Sequence, residues 1–158
     1  MARRRTKAEE AAARIRHLLA LDATNVMRRL AARKDEMVTL FSRLRDRSPM
    51  LEPLASWFSS VQFEALATLD LREQSAVNAF YESLGELRWY LQYTEDMPLT
   101  VRKNAGLHLR RLELAYTHLV GALGLPSPEG APVVDADVVH AEPAEPAALV
   151  SGGKPPVR

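Results

Sequence analysis

The feature that most constrains the fold is a long stretch, residues 7–47, that contains neither proline nor glycine. Proline and glycine disfavour helix more than any other residues, so their absence permits one long helix here. Apolar side chains recur on alternating three- and four-residue steps, apart from one position held by Arg33. They are Leu19, Ala23, Val26, Leu30, Met37, Leu40 and Leu44. This spacing predicts a helix with a narrow apolar stripe, suited to packing on another helix.

The start and the continuity of this helix depend on polar residues. Thr6 and Glu9 have the spacing of a capping box, which predicts a helix start. The polar residues within 22–25 compete for backbone hydrogen bonds, which weakens the helix there. One helix over 7–47 would be about 60 Å long, against roughly 40 Å for the next long segment. Two arrangements would cover the extra length. The helix breaks near 22–25 and folds back, which we favour because of those polar residues, or the part that extends beyond the shorter helix pairs with a second copy in a homodimer.

Prolines divide the following region into short pieces. Ser48-Pro49 ends the first helix, because proline disfavours helical geometry in the residue before it. Pro53 follows four residues later. The sequence therefore predicts one or two short helices between residues 50 and 69.

A second long helix is predicted over residues 71–95. Asp70 and Glu73 form a candidate capping box before it. The apolar positions again step by three and four, at Val77, Phe80, Leu84, Leu87 and Leu91. Gly85 lies beside this stripe, where we expect it to allow close approach of a neighbouring helix.

A third long helix is predicted over residues 101–123, with Thr100 as its cap. Its apolar positions are Ala105, Leu109, Leu112, Tyr116, Leu119 and Leu123. Gly124 can adopt the left-handed conformation, and Pro126 follows it closely, which together predict a helix end.

The composition changes after Leu125. Seven of the ten prolines fall in residues 126–158, and no aromatic residue does. Such a segment cannot bury enough apolar area to offset the entropy lost on ordering, so we predict a disordered tail. With no strand-like alternation elsewhere, the chain is predicted to be all-α: a flexible basic arm at 1–6, a helical bundle domain at 7–125 and the tail.

The net charge of +1 conceals four blocks of alternating sign. Residues 1–48 carry +7, residues 49–98 carry −6, residues 99–124 carry +3 and residues 125–158 carry −3. The blocks either neutralise one another within the fold, or one of them faces an external partner.

The residues that catalysis and metal binding need are few. The chain has no cysteine, which excludes disulfides and thiolate chemistry. The four histidines are His17, His108, His118 and His140. His108 and His118 fall on one predicted helix, and neither has a carboxylate three or four residues away. Phosphate-binding and nucleophile motifs are missing, and no apolar run reaches the roughly 20 residues that span a membrane. We therefore expect a protein that is not an enzyme and has no metal, cofactor or small-molecule substrate.

Two aromatic clusters are the candidate partner-binding positions. Neighbouring residues on a helix point about 100° apart. Trp57 and Phe58 therefore cannot both face one narrow core, and neither can Trp89 and Tyr90. Tryptophan and tyrosine at an edge are common anchors of protein interfaces. We predict Trp57, Phe58, Trp89 and Tyr93 as such anchors.

The tail contains a second candidate docking element. Apolar pairs flank two aspartates in residues 132–139, a pattern that can add a strand to a partner or occupy a groove. The candidate residues are Val133, Val134, Val138 and Val139.

Two functional hypotheses follow. The first is a bacterial cytoplasmic helical protein that binds another protein, as an adaptor, scaffold or small regulatory subunit. Its arginine- and alanine-rich composition is typical of a bacterial genome rich in G and C, and the N-terminus lacks a signal-peptide apolar region. The second is a small nucleic-acid-associated protein, because a basic arm can bind phosphates. Its candidate residues are Arg3, Arg4, Arg5, Lys7 and Arg14.

Overall fold

The computed structural model describes residues 7–94 and 97–124. These residues form an all-α fold, as predicted, and contain no strand. The elements in order are α1 (Lys7–Leu44), α2 (Ser48–Leu51), two 3-10 turns (Glu52–Leu54 and Phe58–Ser60), α3 (Phe63–Leu66), α4 (Leu71–Tyr93) and α5 (Pro98–Ala122). The predicted basic arm at 1–6, with the Thr6 cap, and the predicted disordered tail at 126–158 lie outside the described residues.

Helix α1 is one continuous helix of 38 residues, about 57 Å long. The predicted break near 22–25 is wrong. Asn25 accepts from Arg28 on the next turn of α1. The other two polar side chains bond to other parts of the protein instead of to their own backbone: Asp22 accepts from Tyr81 at 2.9 Å and the Thr24 hydroxyl bonds to the Tyr116 hydroxyl at 2.9 Å. Because tertiary partners satisfy them, they do not interrupt the helix.

Helix α4 begins as the sequence predicts. The backbone amide of Glu73 donates to the Asp70 carboxylate at 2.8 Å, and the amide of Asp70 donates to the Glu73 carboxylate at 2.9 Å. This reciprocal pair is a complete capping box. All five apolar residues of the predicted stripe are buried, and they are Val77, Phe80, Leu84, Leu87 and Leu91.

Helix α5 begins earlier than predicted. It starts at Pro98. In its first turn the backbone N–H of Val101 donates a hydrogen bond to the Met97 carbonyl oxygen at 2.9 Å. Thr100 therefore lies inside the first turn and is not the cap. Proline suits that turn because its missing N–H has no helical partner to lose. The predicted end is confirmed, since Gly124 has a left-handed φ of 66°.

Gly85 does not allow close helix approach, contrary to the prediction. A Cβ atom at this position would have no heavy atom within 4 Å. The residue is exposed on α4, so no neighbouring helix explains the glycine.

Helices α1 and α4 run in the same direction. The N-terminal part of α1 lies near the start of α4 through the Arg16–Glu73 ion pair, at 2.6 Å. Further along, Asp22 of α1 bonds to Tyr81 of α4. Two parallel helices require the chain between them to return along their length.

Helix α5 runs antiparallel to α4, with which it makes the most extensive contact. Two aromatic pairs fix their register. The rings of Phe80 and Tyr116 lie 6.1 Å apart, and those of Tyr90 and His108 lie 5.1 Å apart. This antiparallel pair forms one side of the core.

The returning segment, residues 45–70, covers α1. The Arg29 guanidinium donates to the carbonyl oxygen of Pro53 at 3.1 Å, and Arg33 forms an exposed ion pair with Glu52 at 3.3 Å. This segment and α5 bury most of the apolar stripe of α1 within one chain: Leu19, Ala23, Val26, Leu30 and Met37. The length of α1 therefore does not require a homodimer to cover its apolar stripe. No helix in the described ranges is long and apolar enough to cross a membrane.

Candidate functional site

The outer face of α4 exposes two large aromatic side chains. Trp89 and Tyr93 are four residues apart and therefore share one face of the helix. Each is 62% exposed. Their ring centroids lie 5.8 Å apart at an interplanar angle of 49°. The two rings contact each other and form one apolar patch, which we call the aromatic patch.

Carboxylates continue this face toward the start of α4. Glu82 and Glu86 are one helical turn apart and exposed, and Glu82 precedes Trp89 by seven residues, about two turns. Among the described residues, neither glutamate forms an ion pair. The outer face of α4 therefore combines an aromatic end with an acidic middle.

The other two predicted anchors differ in exposure. Trp57 is 69% exposed and Phe58 is half-buried. The Phe58 ring stacks on Tyr81, with a centroid distance of 3.8 Å and an interplanar angle of 5°, and packs against the core. Trp57 is thus the member of this pair that a partner can reach. Within the described residues, no ring contact joins Trp57 to the aromatic patch.

A buried polar cluster holds the backbone at Trp57. Asp22 is 7% exposed, and its carboxylate accepts from the hydroxyls of Ser56 at 2.6 Å and Tyr81 at 2.9 Å, and from the amide of Trp57 at 3.2 Å. Burial and the neighbouring Asp22 carboxylate raise the pKa of the Tyr81 phenol well above its usual value. We call this the Asp22 cluster.

The Asp22 cluster has a structural role, because it connects α1, α4 and the segment between them. In the part of the chain that the structure describes, every buried side-chain polar atom has a hydrogen-bond partner. Three donors, from α4 and from the segment before it, hold the Asp22 carboxylate in place. Sequence reasoning missed this role, although a signal was present: Asp22 follows Leu19 by three residues and precedes Val26 by four, which places it on the buried face.

The charge blocks neutralise one another only in part. Two ion pairs join α1 to the acidic region, Arg16–Glu73 and Arg33–Glu52. The first is bidentate, with distances of 2.6 and 3.1 Å, and Glu73 is buried. The hydrogen bond to Glu73 raises the pKa of the Arg16 guanidinium. Most other cations of α1 remain on its surface.

The predicted basic and tail residues are only partly placed. Lys7 and Arg14 are exposed near the start of α1. Arg3, Arg4 and Arg5 of the arm, and Val133, Val134, Val138 and Val139 of the tail, lie outside the described residues.

The described histidines and carboxylates do not assemble into a metal centre. Among residues 7–94 and 97–124, no three of them lie close enough together to hold an ion. His108 stacks on Tyr90, with ring centroids 5.1 Å apart. His118 is exposed on the same helix.

Comparisons with known proteins add no assignment. No protein-family model, curated protein or solved structure gave a statistically significant match to this chain.

Proposed function

We propose that this chain is a non-enzymatic helical protein that acts by binding another protein, as an adaptor, a scaffold or a small regulatory subunit. The observation that carries the proposal is the aromatic patch of Trp89 and Tyr93, each 62% exposed. A fully covered tryptophan or tyrosine buries about 150–250 Å². Clustered exposed aromatic side chains are therefore a typical centre of a protein interface.

The fold supports this role because it presents the patch on a rigid element. Helix α4 is held by its capping box, by α5 and by the core residues of its inner face. A rigid platform lowers the entropy lost when a partner binds. The arginine-rich composition supports a bacterial setting for the proposed function, and the absence of cysteine is compatible with the cytoplasm.

The test starts with the full-length chain immobilised as bait. A captured protein is identified, purified and titrated against the wild type and a Trp89→Ala/Tyr93→Ala variant. We expect the variant to bind at least about tenfold more weakly, as for interface anchors. Phe63→Ala is the control, since it also removes an exposed aromatic side chain, from α3. Equal affinity of all three proteins would refute the role of the patch.

We propose nucleic-acid binding through the N-terminal arm as the second candidate. The supporting observation is that, within the residues the structure describes, only Arg16 and Arg33 of α1 form ion pairs with the acidic region, while Arg14 and Lys7 are exposed near the start of α1. Unpaired cations can bind phosphates and release counterions.

A duplex DNA titration at several salt concentrations tests this second proposal. We expect affinity to fall steeply with salt, and most of it to be lost in an Arg3→Ala/Arg4→Ala/Arg5→Ala variant. A variant with alanine at Arg110 and Arg111 of α5 controls for reduced charge. No binding at low salt would eliminate this candidate.

A further inference from the structure

A groove runs between the C-terminal half of α1 and the N-terminal half of α5. It consists of two adjoining clefts of about 250 and 210 Å³. Both clefts are lined by Val38 of α1 and Arg102 of α5, so they are continuous. The groove extends along α1 from Lys34 to Arg43, about 14 Å at 1.5 Å per residue.

The floor of the groove is mostly apolar. Met37 and Met50 are buried beneath it, and Leu109 of α5 is half-buried at its side. Methionine side chains are flexible and polarisable, which suits a surface that adapts to an apolar ligand. Leu99 of α5, 81% exposed, extends the apolar surface at the far end.

The rim of the groove is cationic. Lys34 and Arg43 lie on the α1 side and Arg102 on the α5 side, and all three are exposed. Among the described residues that line the two clefts, Asp35 is the one acidic residue. None of the three cations is in an ion pair with another described residue. The described part of the rim therefore carries three cations and one acid.

We propose that this groove binds a short amphipathic helical segment of a partner protein, with an apolar stripe on the floor and carboxylates toward the rim. The apolar floor matches the stripe of such a helix, and the cations on both sides match acidic flanks. The length of the groove corresponds to about three helical turns of the partner. This surface is separate from the aromatic patch on the outer face of α4, so the two proposals succeed or fail independently.

Gly106 offers a way to fill the groove without disturbing the fold. It lines the larger cleft, and a Cβ atom there would meet no heavy atom within 4 Å. A larger side chain at this position therefore projects into open space. Gly85 of α4 is equally open but does not line either cleft, which makes it the matched control.

The probe is a fluorescent peptide of about 14 residues, near the lower limit for an isolated helix in water, with leucines on one stripe and glutamates on both flanks. Anisotropy titration measures its binding to the full-length chain. We expect Gly106→Leu and Lys34→Glu/Arg102→Glu each to weaken binding by at least about tenfold. Gly85→Leu should change the affinity for the peptide by no more than about twofold. Higher salt should weaken peptide binding to the wild type. Circular dichroism confirms that each variant is folded.

Several results would overturn the proposal. One is equal binding of a peptide with lysines in place of the glutamates. Another is no binding of the glutamate peptide up to about 1 mM, which corresponds to about −4 kcal/mol. A third is a wild-type dimer in solution that Gly106→Leu converts to a monomer, because a second copy would then occupy the groove. Binding of laurate in preference to the peptide would assign the groove to a fatty acid.

Discussion

The hydroxyl of Tyr81 on α4 donates to the carboxylate of Asp22 on α1 at 2.9 Å, and this bond is buried. The two residues are 59 positions apart in the sequence. Ser56 and the amide of Trp57, from the segment that returns between the two helices, donate to the same carboxylate. One buried acid thus connects three parts of the chain.

Replacing Asp22 with alanine should lower the free energy of unfolding by about 2–4 kcal/mol, because three buried or half-buried donors lose their acceptor. Urea denaturation followed by circular dichroism measures the change. Asp35→Ala is the control, since it removes an exposed carboxylate from the same helix. Equal stability of the two variants would show that the Asp22 cluster does not stabilise the fold.

Stability at high pH should depend on Tyr81. Its pKa is raised in the folded protein by burial and by Asp22. The unfolded state therefore ionises first, and the stabilisation, complete below a pH of about 10, is lost as the pH rises above it. We expect the free energy of unfolding to fall more steeply above pH 10 in the wild type than in Tyr81→Phe, by up to about 1.4 kcal/mol per pH unit.

Urea denaturation between about pH 8 and pH 11 measures this difference, because the range includes the reference pKa of tyrosine near 10. Tyr93→Phe is the control, because Tyr93 is largely exposed. Parallel pH profiles for the wild type and Tyr81→Phe would contradict the prediction.

Removing Glu73 should cost more stability than removing Arg16. Glu73→Ala disrupts both the ion pair to α1 and the capping box of α4, whereas Arg16→Ala disrupts only the ion pair. We expect the free energy of unfolding to fall by about 2–3 kcal/mol in Glu73→Ala and by about 1 kcal/mol in Arg16→Ala. A helix cap contributes about 1 kcal/mol, and Arg16 is partly exposed to solvent. A double-mutant cycle gives the coupling free energy between Arg16 and Glu73. A coupling free energy near zero would mean that solvent screens this ion pair completely.

Two glycine-to-alanine substitutions should have opposite effects. At Gly85 the helix interior has space for a Cβ atom, so Gly85→Ala should stabilise the protein by about 0.5–1 kcal/mol. Gly124 has a left-handed φ of 66°, so Gly124→Ala should destabilise it by about 1 kcal/mol. Thermal unfolding measures both. A destabilised Gly85→Ala would indicate a close contact at that face.

Much of the helical architecture follows from local sequence. Three- and four-residue apolar spacing predicts α4, and the pair Asp70 and Glu73 predicts its start. The left-handed end at Gly124 also follows from local residue preferences. These features depend on residues within a few positions of one another, so the sequence displays them directly.

Apart from the start of α5, the errors concern interactions between distant residues. The continuity of α1 depends on Asp22 reaching Ser56 and Tyr81, and local preferences at 22–25 carry no record of those partners. The exposure of the predicted aromatic anchors also depends on distant residues. Spacing predicts that some of them lie at an edge, but only the packing of Phe58 on Tyr81 distinguishes it from the exposed Trp57. The groove between α1 and α5 depends on the register of two helices and was not predictable from either helix alone.

The parallel alignment of α1 and α4 also governs when the protein can fold during synthesis. Helix α1 is translated first, yet its Asp22 has no Tyr81 partner until 59 more residues have been added. At about 5–20 residues per second this takes roughly 3–12 seconds. Throughout that interval α5, which covers part of the apolar stripe of α1, has not been synthesised, so the nascent chain exposes a surface that a chaperone or a neighbouring nascent chain can bind.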